Sequence, residues 1–139
     1  MSKSRCFSPV LFGLLLLACG GPLKFQMAST PKAPGSDAKL VAAVHEDQHQ
    51  TELEFEAQNL APPERVTEGA TAFVAWSRKS SDAVWARMGG LQYDSDSREA
   101  TLKGTVAETA FDFEITAEKT DGPASPSGDI VFNQRVAAD

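Results

Sequence analysis

The sequence predicts a mostly β fold: a single antiparallel β-sandwich of immunoglobulin-like size, with about seven short strands over residues 38–139. Three observations carry this expectation. Apolar and polar residues alternate with period 2 in several separate segments, and turn-forming residues punctuate them at short intervals. No long amphipathic helical stretch interrupts the series.

Taken in order, Lys39 to Val44 is alternating and β-branched and reads as the first strand. Thr51 to Asn59 is the clearest segment: Leu53, Phe55 and Ala57 alternate with Glu52, Glu54 and Glu56, so one set faces a core and the glutamates face water. A helix over the same residues would put Leu53 and Phe55 on opposite sides, which favours a strand. After the turn residues Pro62 and Pro63, Ala72 to Ser77 is apolar almost throughout, as expected of a strand buried on both faces. Trp76 lies mid-strand and is expected as the central core ring, whereas Trp85 covers an open edge or sits in a surface groove.

Gly89-Gly90 and Asp94-Ser95-Asp96-Ser97 read as turns on either side of a short strand at Leu91 to Tyr93. Ala100, Leu102, Gly104 and Val106 then alternate with Thr101, Lys103 and Thr105. Phe111, Phe113 and Ile115 alternate with Asp112, Glu114 and Thr116. The turn-rich run Asp121 to Gly128 leads into a last strand from Ile130 to Val136.

The N-terminal residues speak to location. Lys3 and Arg5 precede the apolar run Val10 to Leu17, and Leu14-Leu15-Leu16-Leu17-Ala18 runs directly into Cys19. Counted generously from Phe7 to Ala18, the apolar stretch is 12 residues, short of the roughly 20 that a membrane-spanning helix needs. A removable secretory signal fits this shape better. The Leu-Ala-Cys junction resembles the lipobox of bacterial lipoprotein precursors, with Leu17 bulkier than the small residue usual there. The resemblance implies that residues 1–18 are a lipoprotein signal peptide and that Cys19 receives palmitate-type acyl chains, its sulfur a diacylglycerol and its amine a third chain. Two or more chains hold a protein stably on a membrane. Residues 19–37 are then expected to be the lipidated cysteine and a flexible tether, because Pro22, Pro31, Pro34, Ser29 and Thr30 show no sustained period. An edge strand beginning at Leu23-Lys24-Phe25 is the alternative.

Cysteine and charge counts narrow the function. Cys6 would leave with the signal and Cys19 would be acylated, so the mature chain has no thiol for a disulfide, redox pair or thiolate metal site. The chain has 13 basic and 19 acidic residues; without Lys3 and Arg5 the net charge moves from −6 to −8. An acidic surface argues against nucleic acid, which is bound through Lys and Arg, and against lying flat on anionic lipid.

One motif raises metal chemistry. His45-Glu46-Asp47-Gln48-His49 fits H-E-x-x-H and contains both histidines of the chain. As a zinc hydrolase it requires a helix, which sets both imidazoles on one metal with the glutamate beside the attacking water. The flanking strands point instead to a polar hairpin connection. His45 and His49 stay weak candidates for zinc or copper, which imidazole suits. Asp94 to Ser97 begins like a calcium loop, but Glu99 stands where that loop needs glycine and Thr105 where it needs glutamate. No serine has a histidine-and-acid context, and there is no glycine-rich phosphate loop.

Phe73-Val74-Ala75-Trp76, Gly89-Gly90-Leu91, Phe113-Glu114-Ile115-Thr116-Ala117-Glu118 and Pro126-Ser127-Gly128 follow one another in an order that resembles the extracytoplasmic domain of anti-sigma-K-type regulators. The same order resembles small δ-proteobacterial lipoproteins that share such a domain. The likeness covers about residues 65 to 136 and implies a sandwich in an exported setting. The cytoplasmic helical domain and transmembrane helix of an anti-sigma factor have no counterpart in the sequence, so sigma regulation is not implied, and no catalytic residue carries over. The expectation is a lipid-anchored, non-enzymatic sandwich at the cell envelope, periplasm-facing or on the cell surface. It needs no cofactor and serves interaction or sensing, with the membrane lipid held by Cys19 and a protein or glycan partner met by a sheet edge or by the loops around Trp85 and Pro123 to Gly128.

Overall fold

The alternating segments become a two-layer sandwich. The structure, a computed structural model, describes residues 21–138. Among these, nine strands form two antiparallel sheets. The five-stranded sheet has the order β1-β2-β3-β7-β6, with β1 Leu23–Ala28, β2 Asp37–His45, β3 Gln50–Gln58, β7 Glu99–Val106 and β6 Gln92–Asp94. The four-stranded sheet has the order β5-β4-β8-β9, with β5 Ala86–Gly90, β4 Ala72–Arg78, β8 Ala110–Glu118 and β9 Ile130–Ala137.

Period 2 explains the core. Along β3 the residues Thr51, Leu53, Phe55 and Ala57 are buried while Glu52, Glu54 and Glu56 are exposed. Phe55 packs against Phe113 and Phe132 of the opposite sheet, with ring centres 5.8 Å and 5.7 Å apart. Phe73 meets Tyr93 edge-on at 5.2 Å, and the Tyr93 hydroxyl donates to the Leu60 carbonyl at 2.6 Å. Such aromatic pairs couple the sheets beyond simple area burial. β4 is buried on both faces, as its apolar composition predicts.

The structure corrects three expectations. First, residues 23–36 are part of the domain rather than a tether. Leu23, Phe25 and Met27 alternate with Lys24, Gln26 and Ala28, and β1 pairs with β2 from Leu23–Ala42 to Ala28–Asp37. Thr30 then reaches the other sheet: its N–H donates to the Val131 carbonyl at 2.9 Å and its hydroxyl to that of Ile130. Ala33 and Ser36 are buried, and the Ser36 hydroxyl donates to the Asn59 carbonyl at 3.0 Å. Second, β5 was not expected, because Arg87-Met88-Gly89-Gly90 carries no alternation. Gly89 has φ 156°, and beyond Gly90 the chain leaves the four-stranded sheet and enters the five-stranded one as β6. Such sheet-switching corners favour residues without a Cβ.

Third, Trp76 is fully buried but lies outside the inter-sheet core. Phe73 and Ala75 point inward, so Val74 and Trp76 point to the outer face of the four-stranded sheet. Residues 1–18, expected to be a signal peptide, and Cys19 lie outside the described residues. Met27 is 4% exposed, so Met27→Ala should lower the unfolding free energy by about 2 kcal/mol in urea titration. A tether residue at that position would leave stability unchanged.

Candidate functional site

The outer face of the four-stranded sheet gathers an unusual set of side chains. Register places Arg78 opposite Asp112 and Trp76 opposite Glu114 across β4 and β8. Asn133 and Arg135 of β9 lie opposite Glu114 and Asp112, and Arg87 of β5 lies opposite Trp76. By alternation alone, Glu114, Thr116 and Glu118 would face water, as Glu52, Glu54 and Glu56 do on β3. All three are buried. Over Glu118 what differs is the segment 119–129, which folds back over that end of the sheet.

Glu118 holds that segment. Its side chain accepts from the Ser127 hydroxyl at 2.6 Å, the Ser127 N–H at 3.1 Å, the Gly128 N–H at 3.1 Å and the Thr116 hydroxyl at 2.5 Å. Thr116 in turn accepts from the Trp76 indole N–H at 2.8 Å. Burial raises the carboxyl pKa, but the hydrogen bonds from Ser127, Thr116 and Gly128 outweigh it and hold the group below the ordinary glutamate range. Charge-assisted bonds of this kind are the strong ones.

Gly128 makes the approach possible. A Cβ there would sit 1.6 Å from the Ala117 carbonyl oxygen, an impossible overlap. The neighbouring Asp129 carbonyl accepts from the Ala117 N–H at 3.0 Å, and its carboxylate accepts from the Thr67 hydroxyl at 2.7 Å. Arg87 closes the other side by donating to the Asp121 carbonyl.

Beside this clasp runs a groove of about 420 Å³, lined by Arg78, Trp85, Asp112, Glu114, Asn133 and Arg135 among others. Asp112 braces it. Arg78 Nε lies 2.9 Å from Asp112 Oδ2 and Arg135 Nη1 lies 3.1 Å from Asp112 Oδ1. Partial burial raises the Asp112 pKa, yet the two guanidinium hydrogen bonds prevail and lower it. The Arg78 guanidinium carbon sits 4.3 Å from the centre of the half-buried Trp85 ring, within cation–π range.

Glu114 behaves differently. It is 5% exposed, and burial raises its pKa, with Arg78 opposing and Asp112 and Glu118 reinforcing. Among the described residues no hydrogen bond to its carboxylate counters that rise. Among the described residues no sealed side-chain oxygen lacks a partner, so the Glu114 oxygens open into the groove. A second groove, about 430 Å³, is lined by Glu54, Glu56, Gln92, Thr101 and Lys103 among others. Those five are exposed, so it presents no comparable desolvated group.

The histidines fall elsewhere. His45 ends β2, Glu46–Gln48 make one 3₁₀ turn, and His49 takes a left-handed conformation with φ 52° before β3 begins. The helical H-E-x-x-H geometry is therefore not formed. His45 Nε2 lies 3.7 Å from Glu52 Oε2, and no group of three or more metal-ligating side chains occurs among the described residues. The Asp94 carboxylate accepts from the Asp96 and Ser97 N–H groups in the β6–β7 hairpin, a turn rather than a calcium loop. Trp85 and the Pro123–Gly128 segment, two expected binding regions, lie along the same sheet face. Glu114, Glu118, Arg78 and Arg135 carry no site signal in the sequence, since nothing in the alternation distinguishes a covered strand face from a wet one.

No family model matches the chain, and no curated protein or solved structure matches it either.

Glu118→Gln should lower the unfolding free energy by about 3 kcal/mol near neutral pH, since it removes a charged acceptor of several bonds. A depressed folded pKa contributes stability above the ordinary value of 4.5, and that contribution is lost as pH falls below it. The difference between wild type and Glu118→Gln should therefore shrink in urea titrations as pH falls through the depressed folded pKa. Gly128→Ala should also release the 119–129 segment, read as faster amide exchange at Ser127.

Proposed function

We propose that this chain is a lipid-anchored protein of the bacterial cell envelope, held by an acylated Cys19, whose non-catalytic β-sandwich binds an envelope partner for interaction or sensing. The observation that carries the reading is the run Leu14 to Ala18 ending at Cys19, set just ahead of a folded domain. Cys19 is followed by Gly20-Gly21-Pro22 and then by Leu23, the first residue of β1. Four Cα–Cα steps of 3.8 Å span at most about 15 Å. The domain is thus held close to the bilayer rather than on a long arm.

Its orientation follows from register. β1 starts toward the end of the sandwich where β2 turns into β3 and β7 into β8. Arg78 and Asp112 lie toward that same end, because β8 begins there and β4 ends there. The groove therefore opens near the headgroups, a suitable place to meet an envelope component. No cysteine falls within residues 21–138, so the fold depends on its core and not on a disulfide.

The motifs behind the resemblance to anti-sigma-K-type extracytoplasmic domains support the same setting. Trp76, Thr116 with Glu118, and Ser127 with Gly128 come from three separate motifs and meet in one hydrogen-bonded cluster. Residues so far apart in sequence gain a joint physical role.

Metabolic labelling with an alkyne palmitate analogue tests the anchor. The full chain expressed in a bacterium should carry the label, its mature form should begin at Cys19, and Cys19→Ser should carry none. An unlabelled wild type, or label persisting in Cys19→Ser, overturns the reading.

A further inference from the structure

We propose that the groove above Glu114 is a binding site for a neutral saccharide. The inference deepens the reading of the sandwich as a binding module and takes only its envelope setting from that reading. A largely buried carboxylate that its own chain leaves without a hydrogen-bond donor has to be satisfied from outside the fold, through whatever opening its oxygens keep. Glu118, two positions away, shows how this strand satisfies a buried carboxylate, with hydroxyl and backbone donors supplied by its own chain. Glu114 receives none of these and is left facing a cavity.

The charges around it select the occupant. Asp112 is already held by Arg78 and Arg135, so the groove carries two guanidinium groups against two carboxylates. A cationic ligand drawn to Glu114 meets Arg78 and Arg135, and an anionic one drawn to Arg135 meets Glu114 and Asp112. An uncharged ligand rich in hydroxyls escapes both conflicts. Its hydroxyls donate to Glu114, and its oxygens accept from Asn133 and from the Arg135 nitrogens not engaged with Asp112.

Trp85 completes the match. Arg78 covers one face of its half-buried ring, and the remaining ring surface, which lines the same groove, offers an apolar contact to the C–H face of a pyranose, with polar groups fixing its orientation. The volume of about 420 Å³ lies within the range of small-molecule sites. The Asp112 brace holds both arginines in place before a ligand arrives, which lessens the ordering that binding requires.

Tryptophan fluorescence of the full chain in detergent tests this, titrated with cellobiose, maltose and di-N-acetylchitobiose. Methylammonium, inorganic phosphate and an uncharged Ser/Asn-containing peptide serve as competing chemistries. At least one of the three saccharides should give a saturable change, weakened at least tenfold in Glu114→Leu, and calorimetry with the same saccharide should show at least a tenfold loss in Trp85→Ala, which lacks the groove's fluorescent reporter. Glu114→Leu should melt no lower than wild type, because an apolar side chain replaces an unpaired buried carboxylate; a purely structural Glu114 would instead lower the melting temperature and leave affinity unchanged. No saccharide response, or saturable binding only of the ions or the peptide, overturns the proposal. Binding measured in Cys19→Ser separates this result from the anchor, since loss of acylation leaves the groove intact.

Discussion

The Glu118 carboxylate is the contact on which the outer half of this molecule depends. It is 1% exposed and enclosed by hydroxyl and amide donors from its own strand and from the loop that crosses it. A sandwich ordinarily leaves the outer face of each sheet wet. Here one carboxylate draws the β8–β9 connection down onto the sheet, and Trp76 becomes a second, smaller buried centre outside the main core. The Gly128 approach and the Arg87 contact to Asp121 follow from the position of that loop. The groove exists because the covering stops at Glu118 and does not extend to Glu114.

Two neighbouring arrangements of charge therefore have opposite meanings. Around Glu118 every donor belongs to the chain, so the ionised form is favoured and the group works as a structural clasp. Around Asp112 two arginines share one carboxylate, which fixes three side chains and leaves part of each guanidinium for other partners. Glu114 sits between the clasp and the brace and takes part in neither. The groove lies toward the end of the sandwich where β1 begins.

Much of the fold is legible in the residues themselves. Leu53, Phe55 and Ala57 against three glutamates, and Phe111, Phe113 and Ile115 against their polar neighbours, announce strands because side-chain direction alternates strictly with position. β1 is just as periodic, but Leu23, Phe25 and Met27 make only one short repeat beside Pro31 and Pro34, so composition obscured it. Arg87 to Gly90 gives no signal, because a sheet-switching corner is specified by missing side chains. The site was harder. Glu54 and Glu118 have the same local pattern, and only the contact from Ser127 and Gly128, nine and ten residues further on, makes one wet and the other dry. Ser127 and Gly128 carry a faint trace, being small donors in a turn-rich run, but their acceptor cannot be read from spacing. The H-E-x-x-H match failed for the opposite reason, a strong local pattern without the helix that gives it chemistry.

The central claim is that the two buried glutamates of β8 are tuned in opposite directions by hydrogen bonding and by its lack. Carboxyl ¹³C resonances followed through a pH titration of the intact chain measure this directly. The Glu118 resonance should titrate below the ordinary glutamate value of 4.5 and the Glu114 resonance above it. A Glu118 midpoint at or above that value would contradict the clasp, and with it the account of how this face of the sandwich is built.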